Sequence, residues 1–242
     1  MSTPFLTAQW RNLVMLNYEI EPSLLLPHVP RGTQLDNWNG TTFISLVGFL
    51  FLDTRVRGMA FPLHVNFEEV NLRFYVSREH NGELRRGVVF LREFVPRYAI
   101  TIIANTLYNE QYRTTPMRHH IDERAVEYSW RTRSQWNRLA LESNGDWQEL
   151  QNDSVEEFIT EHYWGYTAQR DGGTIEYQVE HPRWRFKTAT QATLECDIAA
   201  TYGATFASCL QSKPHSALLA EGSPVTVYRG VKIASCQPLS QM

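Results

Sequence analysis

Glu69-Val-Asn-Leu-Arg-Phe-Tyr-Val76, His80-Asn-Gly82 and Gly87-Val-Val-Phe-Leu-Arg-Glu93 together decide the fold. The first run alternates polar and apolar side chains, the period of a strand, and the last reads as a second strand. Asn-Gly between two such runs is a hairpin signal, because a two-residue turn needs positive φ at both central positions. An antiparallel pair over Glu69–Val76 and Gly87–Glu93 is therefore predicted. Alternation places Glu69, Asn71, Arg73 and Tyr75 on one face and Val70, Leu72, Phe74 and Val76 on the other. A face that is polar throughout is either a solvated surface with cross-strand ion pairs or the lining of a pocket.

Downstream runs Glu93-Phe-Val-Pro-Arg-Tyr-Ala-Ile-Thr-Ile-Ile-Ala-Asn-Thr-Leu-Tyr108, a strand end that turns into helical spacing. Ile100, Ile103, Ala104 and Leu107 share one helical face, and Pro96 stands where a helix start tolerates proline. Further strands are expected at Trp10–Ile20, Thr42–Leu52, Thr174–Val179, Trp184–Lys187, Ala192–Ile198 and Val225–Tyr228. A second hairpin is expected from Ala125–Arg131 and Arg138–Glu142. Asn37-Trp-Asn-Gly40 and Asp171-Gly-Gly173 read as turns, and Pro22 to Pro30 as a short Leu-rich turn or helix. Ser154 with Glu157 forms a capping box, after which Val155, Phe158, Ile159, His162 and Tyr166 fall on one predicted helical face.

The chain has 242 residues, 43% of them hydrophobic and 12% aromatic, enough for one sizeable core. We read residues 1–242 as a single domain. A net charge of -3 argues against a nucleic-acid partner. Cys196, Cys209 and Cys236 fit neither a disulfide framework nor a zinc site, and read as buried thiols in a reducing compartment. The N-terminal stretch lacks the pattern of a secretory leader, and the longest apolar run, Ile44–Leu52, is too short to span a bilayer. No membrane association and a cytoplasmic location are expected.

In their order and context, Phe67-Glu-Glu-Val-Asn-Leu-Arg-Phe-Tyr-Val76, Glu93–Tyr108 and Glu157-Phe-Ile-Thr-Glu-His-Tyr-Trp-Gly-Tyr166 resemble the YqjF-like family of uncharacterised proteins, domain of unknown function 2071. The resemblance spans Trp10 to Gly230. That family is similar to acetoacetate decarboxylase in fold, which implies an α+β domain: an antiparallel β cone or barrel with inserted helices and a ligand pocket inside. The decarboxylase works through a Schiff-base lysine beside a second lysine. Arg92-Glu93-Phe94 resembles its Arg-Glu-Leu segment, but its two lysines fall at about Ala99 and Ile100 here. The chain's lysines are Lys187, Lys213 and Lys232, and a permanently protonated arginine is a poor nucleophile. The resemblance thus implies the fold without the Schiff-base chemistry.

Within such a pocket, Glu69 and Glu93 are the candidate acid/base residues, and Asn71, Arg73, Tyr75, Arg97, Tyr108 and Tyr112 the candidate ligand contacts. Arg97, placed at a helix start where the macrodipole disfavours a cation, needs a carboxylate such as Glu93 or Glu69, or an anionic ligand. Tyr108, Glu110 and Tyr112 either edge the pocket or cap and pack. His162 reads as a core histidine, and His119-His120 as a poor metal pair, since neighbours on a strand point to opposite faces. No metal and no cofactor are expected. Three functions remain open: a binder of a small carboxylate- or carbonyl-bearing metabolite, a lysine-independent lyase or isomerase using Glu69 or Glu93, and a structural or regulatory partner with a vestigial cavity. Homo-oligomerisation is open in each.

Overall fold

The computed structural model describes residues 3–62, 64–97 and 111–233. Its strands, in chain order, are β1 (Pro4–Glu19), β2 (Gln34–Leu35), β3 (Phe43–Val56), β4 (Phe67–His80), β5 (Glu83–Val95), β6 (Tyr112–Thr114), β7 (Met117–Ile121) and β8 (Ala125–Thr132). They continue with β9 (Gln135–Glu142), β10 (Trp164–Ala168), β11 (Thr174–Glu180), β12 (Phe186–Thr188), β13 (Gln191–Glu195), β14 (Ser216–Tyr228) and β15 (Val231–Ile233). The predicted helix after Pro96 lies outside the described residues, and so does Tyr108.

The β4–β5 hairpin forms as the sequence predicts, with Tyr75 opposite Val88 and His80 opposite Glu83. Asn81 and Gly82 take φ of 53° and 79°, the left-handed values that such a turn demands. From this hairpin the main sheet runs β14-β1-β3-β4-β5-β10-β11, and β11 returns to pair with β14 through Val179↔Val227 and Glu180↔Thr226. The ring is therefore closed, which removes the exposed edges an open sheet would leave. The ring is antiparallel except at β5–β10, where Trp164 and Gly165 run parallel to Gly87 and Val88.

Strand alternation divides the apolar residues between two cores. Val70, Leu72, Phe74 and Val76 point out of the ring and share a core with Val126, Tyr128, Trp130, Leu139 and Leu141 of a second sheet, ordered β13-β9-β8-β7. Inside the ring lie Leu13, Met15, Phe49, Phe51, Phe67 and Val88, with Phe158 and Ile159 from the helix Val155–Thr160.

Two predicted elements need correction. The helix with the capping box stops at Thr160, so His162 and Tyr166 do not share its face. Tyr166 belongs instead to β10, where pairing with β5 and β11 outweighs helical periodicity. Gly165 permits that pairing because the Tyr177 ring lies over it: a Cβ there would meet the ring at 2.1 Å. The capping box itself is half formed. The Ser154 hydroxyl accepts from the Glu157 amide, whereas the Glu157 carboxylate accepts from the Asp153 amide at 2.7 Å. The strand expected over Ala192–Ile198 ends at Glu195, because Asp197 caps a short helix, Ile198–Thr201, by accepting from the Ala200 amide.

Candidate functional site

All seven strands of the closed ring contribute to one cavity of about 150 Å3. Its wall is mainly aromatic and aliphatic, with Trp10, Phe49, Phe51, Phe67, Trp164 and Trp184 among the lining residues. That volume suits a compact ligand, since apolar cavities of about this size accommodate a benzene-sized molecule.

The polar residues of β4 enter this wall by simple alternation. Glu69, Asn71 and Arg73 line the cavity, while Val70 and Leu72 face the opposite core. Glu93 arrives less directly. In β5, Leu72 pairs with Arg92 but Arg73 pairs with Phe90, so Leu91 is an extra residue. This bulge reverses the parity of the strand. Val88 and Phe90 face inward before it and Glu93 after it, where unbroken alternation would have placed Arg92. β1 does the same: Asn12, at φ 55°, separates inward-facing Trp10 from inward-facing Leu13.

Glu69 is buried, with 2% of its surface exposed. One carboxyl oxygen accepts from Asn71 Nδ2 and the other from the Tyr112 hydroxyl, both at 2.9 Å. Burial pushes its pKa up to about 7, although those two hydrogen bonds and the Arg73 charge pull the other way. Arg73 donates from Nη2 to the Ile159 carbonyl at 3.3 Å and is the only lysine or arginine among the described lining residues. Lys187 sits over the Trp147 ring and Lys232 pairs with Asp171; neither lines the cavity.

The remaining sequence candidates stand apart from this group. Tyr75 shares the β4 face but is not a lining residue: its hydroxyl bonds Ser45 at 2.6 Å and its ring packs on Phe158 and His162. Arg97 is half-buried and lies outside the lining among the described residues. His119 bonds Glu68 and His120 bonds Asp122, on different partners, and the described residues hold no metal-ligating cluster.

Several lining residues escaped sequence reading. His162, from the segment between the short helix and β10, bonds the Asp36 carboxylate at 3.2 Å, and the same Asp36 oxygen pairs with Arg86 at 3.2 Å. Burial lowers the His162 pKa despite Asp36, and that of His181 falls to about 4 for the same reason. Both imidazoles are thus neutral near pH 7. Trp10, Tyr177 and Trp184 offered no local signal, because only ring closure brings β1, β11 and the segment before β12 to the hairpin.

A family model described as an uncharacterised conserved protein, DUF2071, matches residues 7–224. The uncharacterised protein YqjF of Bacillus subtilis is 24% identical over 184 residues, covering 74% of each chain. Among solved structures, the acetoacetate decarboxylase of Legionella pneumophila has a TM-score of 0.69 at 13% identity, covering 98% of this chain and 91% of that one. The enduracididine biosynthesis enzyme MppR, complexed with the condensation product of pyruvate and imidazole 4-carboxaldehyde, has a TM-score of 0.67 at 9% identity, covering 98% and 92%. An acetoacetate decarboxylase-like enzyme from Sphingomonas wittichii RW1 has a TM-score of 0.65 at 10% identity, covering 95% and 93%. At these identities the likeness establishes the fold alone. Among the described residues, no helix is long and apolar enough to cross a membrane.

Proposed function

The chain belongs to the DUF2071 family of uncharacterised conserved proteins, and from that premise we propose that its barrel cavity binds a small carboxylate- or carbonyl-bearing metabolite without forming a Schiff base. The observation that carries this reading is the presence of Arg73 and a buried, readily protonated Glu69 together in a mainly apolar wall. Binding sites of this kind combine an apolar body with a few converging polar groups. The neighbouring decarboxylase and the MppR complex with its pyruvate-derived ligand fit the same ligand class.

Charge arithmetic makes the reading specific. The described lining offers one guanidinium and two carboxyls, Glu69 and Glu93, while its histidines are neutral. An incoming carboxylate meets one negative charge fewer when Glu69 holds a proton, so binding is linked to proton uptake. Calorimetry with acetoacetate, pyruvate and butyrate is the test, with tighter binding expected at pH 6 than at pH 8. Absence of saturable binding by any of these acids at either pH overturns the reading.

Borohydride treatment in the presence of acetoacetate should leave the intact mass unchanged, because no lysine lines the described cavity. A stoichiometric adduct on Lys187, Lys213 or Lys232 would contradict this.

A second reading follows from Glu69 itself. A carboxyl whose pKa approaches 7 has the proton affinity of a general acid or base, which suits a lysine-independent lyase or isomerase acting beside a ligand carbonyl. Enzyme-dependent deuterium incorporation at the carbon next to the carbonyl of acetoacetate or pyruvate, faster than in buffer and absent in Glu69→Gln, would establish it. Exchange at the buffer rate restricts the protein to binding.

A further inference from the structure

Four buried polar atoms on cavity-lining residues meet no hydrogen-bonding atom among the described residues: Trp10 Nε1, Arg73 Nε, Asn71 Oδ1 and His162 Nδ1. Buried polar groups are paired in the great majority of cases and an orphan is costly, so four on one small cavity need an explanation. Their chemistry falls into two halves. Trp10 Nε1 and Arg73 Nε are obligate donors, the second of them charged. Asn71 Oδ1 is an acceptor, because the amide's other end donates to Glu69. His162 is an acceptor at Nδ1, because its Nε2 faces the Asp36 carboxylate and must carry the proton. Against its burial, the hydrogen bond from His162 and then the charge of Arg86 keep Asp36 ionised, which fixes the tautomer.

We propose that the ligand of this cavity is a small hydroxy acid, whose carboxylate takes the Arg73 and Trp10 donors and whose hydroxyl donates to His162 Nδ1. The inference rests on the binding function proposed above and narrows its ligand class. An unsubstituted acid would satisfy the donors and strand both acceptors, and a keto acid would set a carbonyl oxygen against their lone pairs. The arrangement also makes the Asp36–His162 pair part of the site: Asp36 positions the imidazole, and His162 contacts the ligand.

Four-carbon acids differing at one position provide the test: 2- and 3-hydroxybutyrate, acetoacetate and butyrate, each titrated calorimetrically into the full-length protein at pH 6. At least one hydroxybutyrate should bind about tenfold or more tightly than both butyrate and acetoacetate, the equivalent of one satisfied acceptor. His162→Phe retains a ring between Tyr75 and Phe158 and should reduce that ratio. Trp10→Phe removes only the indole donor, and should weaken all the acids together while leaving the ratio intact. Equal binding of all four acids overturns the hydroxy-acid inference and leaves the binding function standing, as does a ratio unchanged in folded His162→Phe. That outcome assigns the orphan atoms to ordered water. If none of the acids binds, both the function and the inference fail. Should His162→Phe not fold, the wild-type ratio alone decides.

Discussion

Glu176→Ala is expected to destabilise the protein by about 3–5 kcal/mol, the cost of breaking a buried ion cluster from one side. Glu176 lies on β11 with 3% of its side chain exposed, and its two oxygens are taken by Arg78 Nη1 of β4 at 2.9 Å and Arg85 Nη1 of β5 at 2.6 Å. Those arginines are themselves only 16% and 17% exposed. Removing the carboxylate leaves Arg78 without its counter-ion and Arg85 with only the exposed Glu83 carboxylate at 3.4 Å, and removes the tie between the hairpin and the strand that closes the ring. For a chain of this length the loss corresponds to a fall in melting temperature of roughly 10 °C. Glu176→Gln retains one acceptor and should lose less. Since Arg85 also lies over the cavity-lining Trp164 ring, 4.2 Å from its centroid, acid binding should weaken along with stability. A loss below about 1 kcal/mol in a chemical denaturation experiment would show that water solvates the two arginines once Glu176 is gone.

The sequence was most legible where one local rule dominated. Asn81-Gly82 between alternating runs specified the β4–β5 hairpin, and the polar face of β4 pointed to Glu69, Asn71 and Arg73. Illegibility set in where a long-range contact chose between two local options. β14 was visible only at Val225–Tyr228, because Gly222, Ser223 and Pro224 interrupt its pattern. The full strand, Ser216–Tyr228, is held by β1 along one side and by β12 and β11 along the other. His162 and Tyr166 continued a helical period that the parallel contact with Gly87 ends. The bulge at Leu91 exchanged Arg92 for Glu93 at the cavity, and nothing in Phe90-Leu-Arg-Glu93 announces a parity change. Closure of the ring is likewise a property of seven strands together, which is why the part of the cavity wall formed by Trp10, His162 and Trp184 could not be found from the hairpin outward.

Glu69→Gln is expected to have the reverse effect on stability from Glu176→Ala, with a dependence on pH that identifies its cause. The folded protein raises the Glu69 pKa from 4.5 to about 7 through burial. Between those values the folded state holds a proton that the unfolded state releases, so stability is lost as pH rises through this window and stays lost above it. Glutamine resembles the protonated carboxyl at every pH: its oxygen can accept from Asn71 Nδ2 and its amide can donate to the Tyr112 oxygen. The variant should therefore match the wild type at pH 4.5 and exceed it at pH 8, by on the order of 3 kcal/mol at most if the full shift is expressed. Ligand affinity should follow the same proton. Wild-type binding of a carboxylate should weaken by up to about tenfold per pH unit above 7, whereas Glu69→Gln binds it with the same affinity at pH 6 and pH 8. Thermal melts across pH 4.5–8, with calorimetry at the two ends of the binding range, measure both. A variant less stable than wild type at pH 8 would mean that Glu69 is ionised and needed as an anion by Arg73. The cavity would then be poised for a neutral or cationic ligand, not an acid.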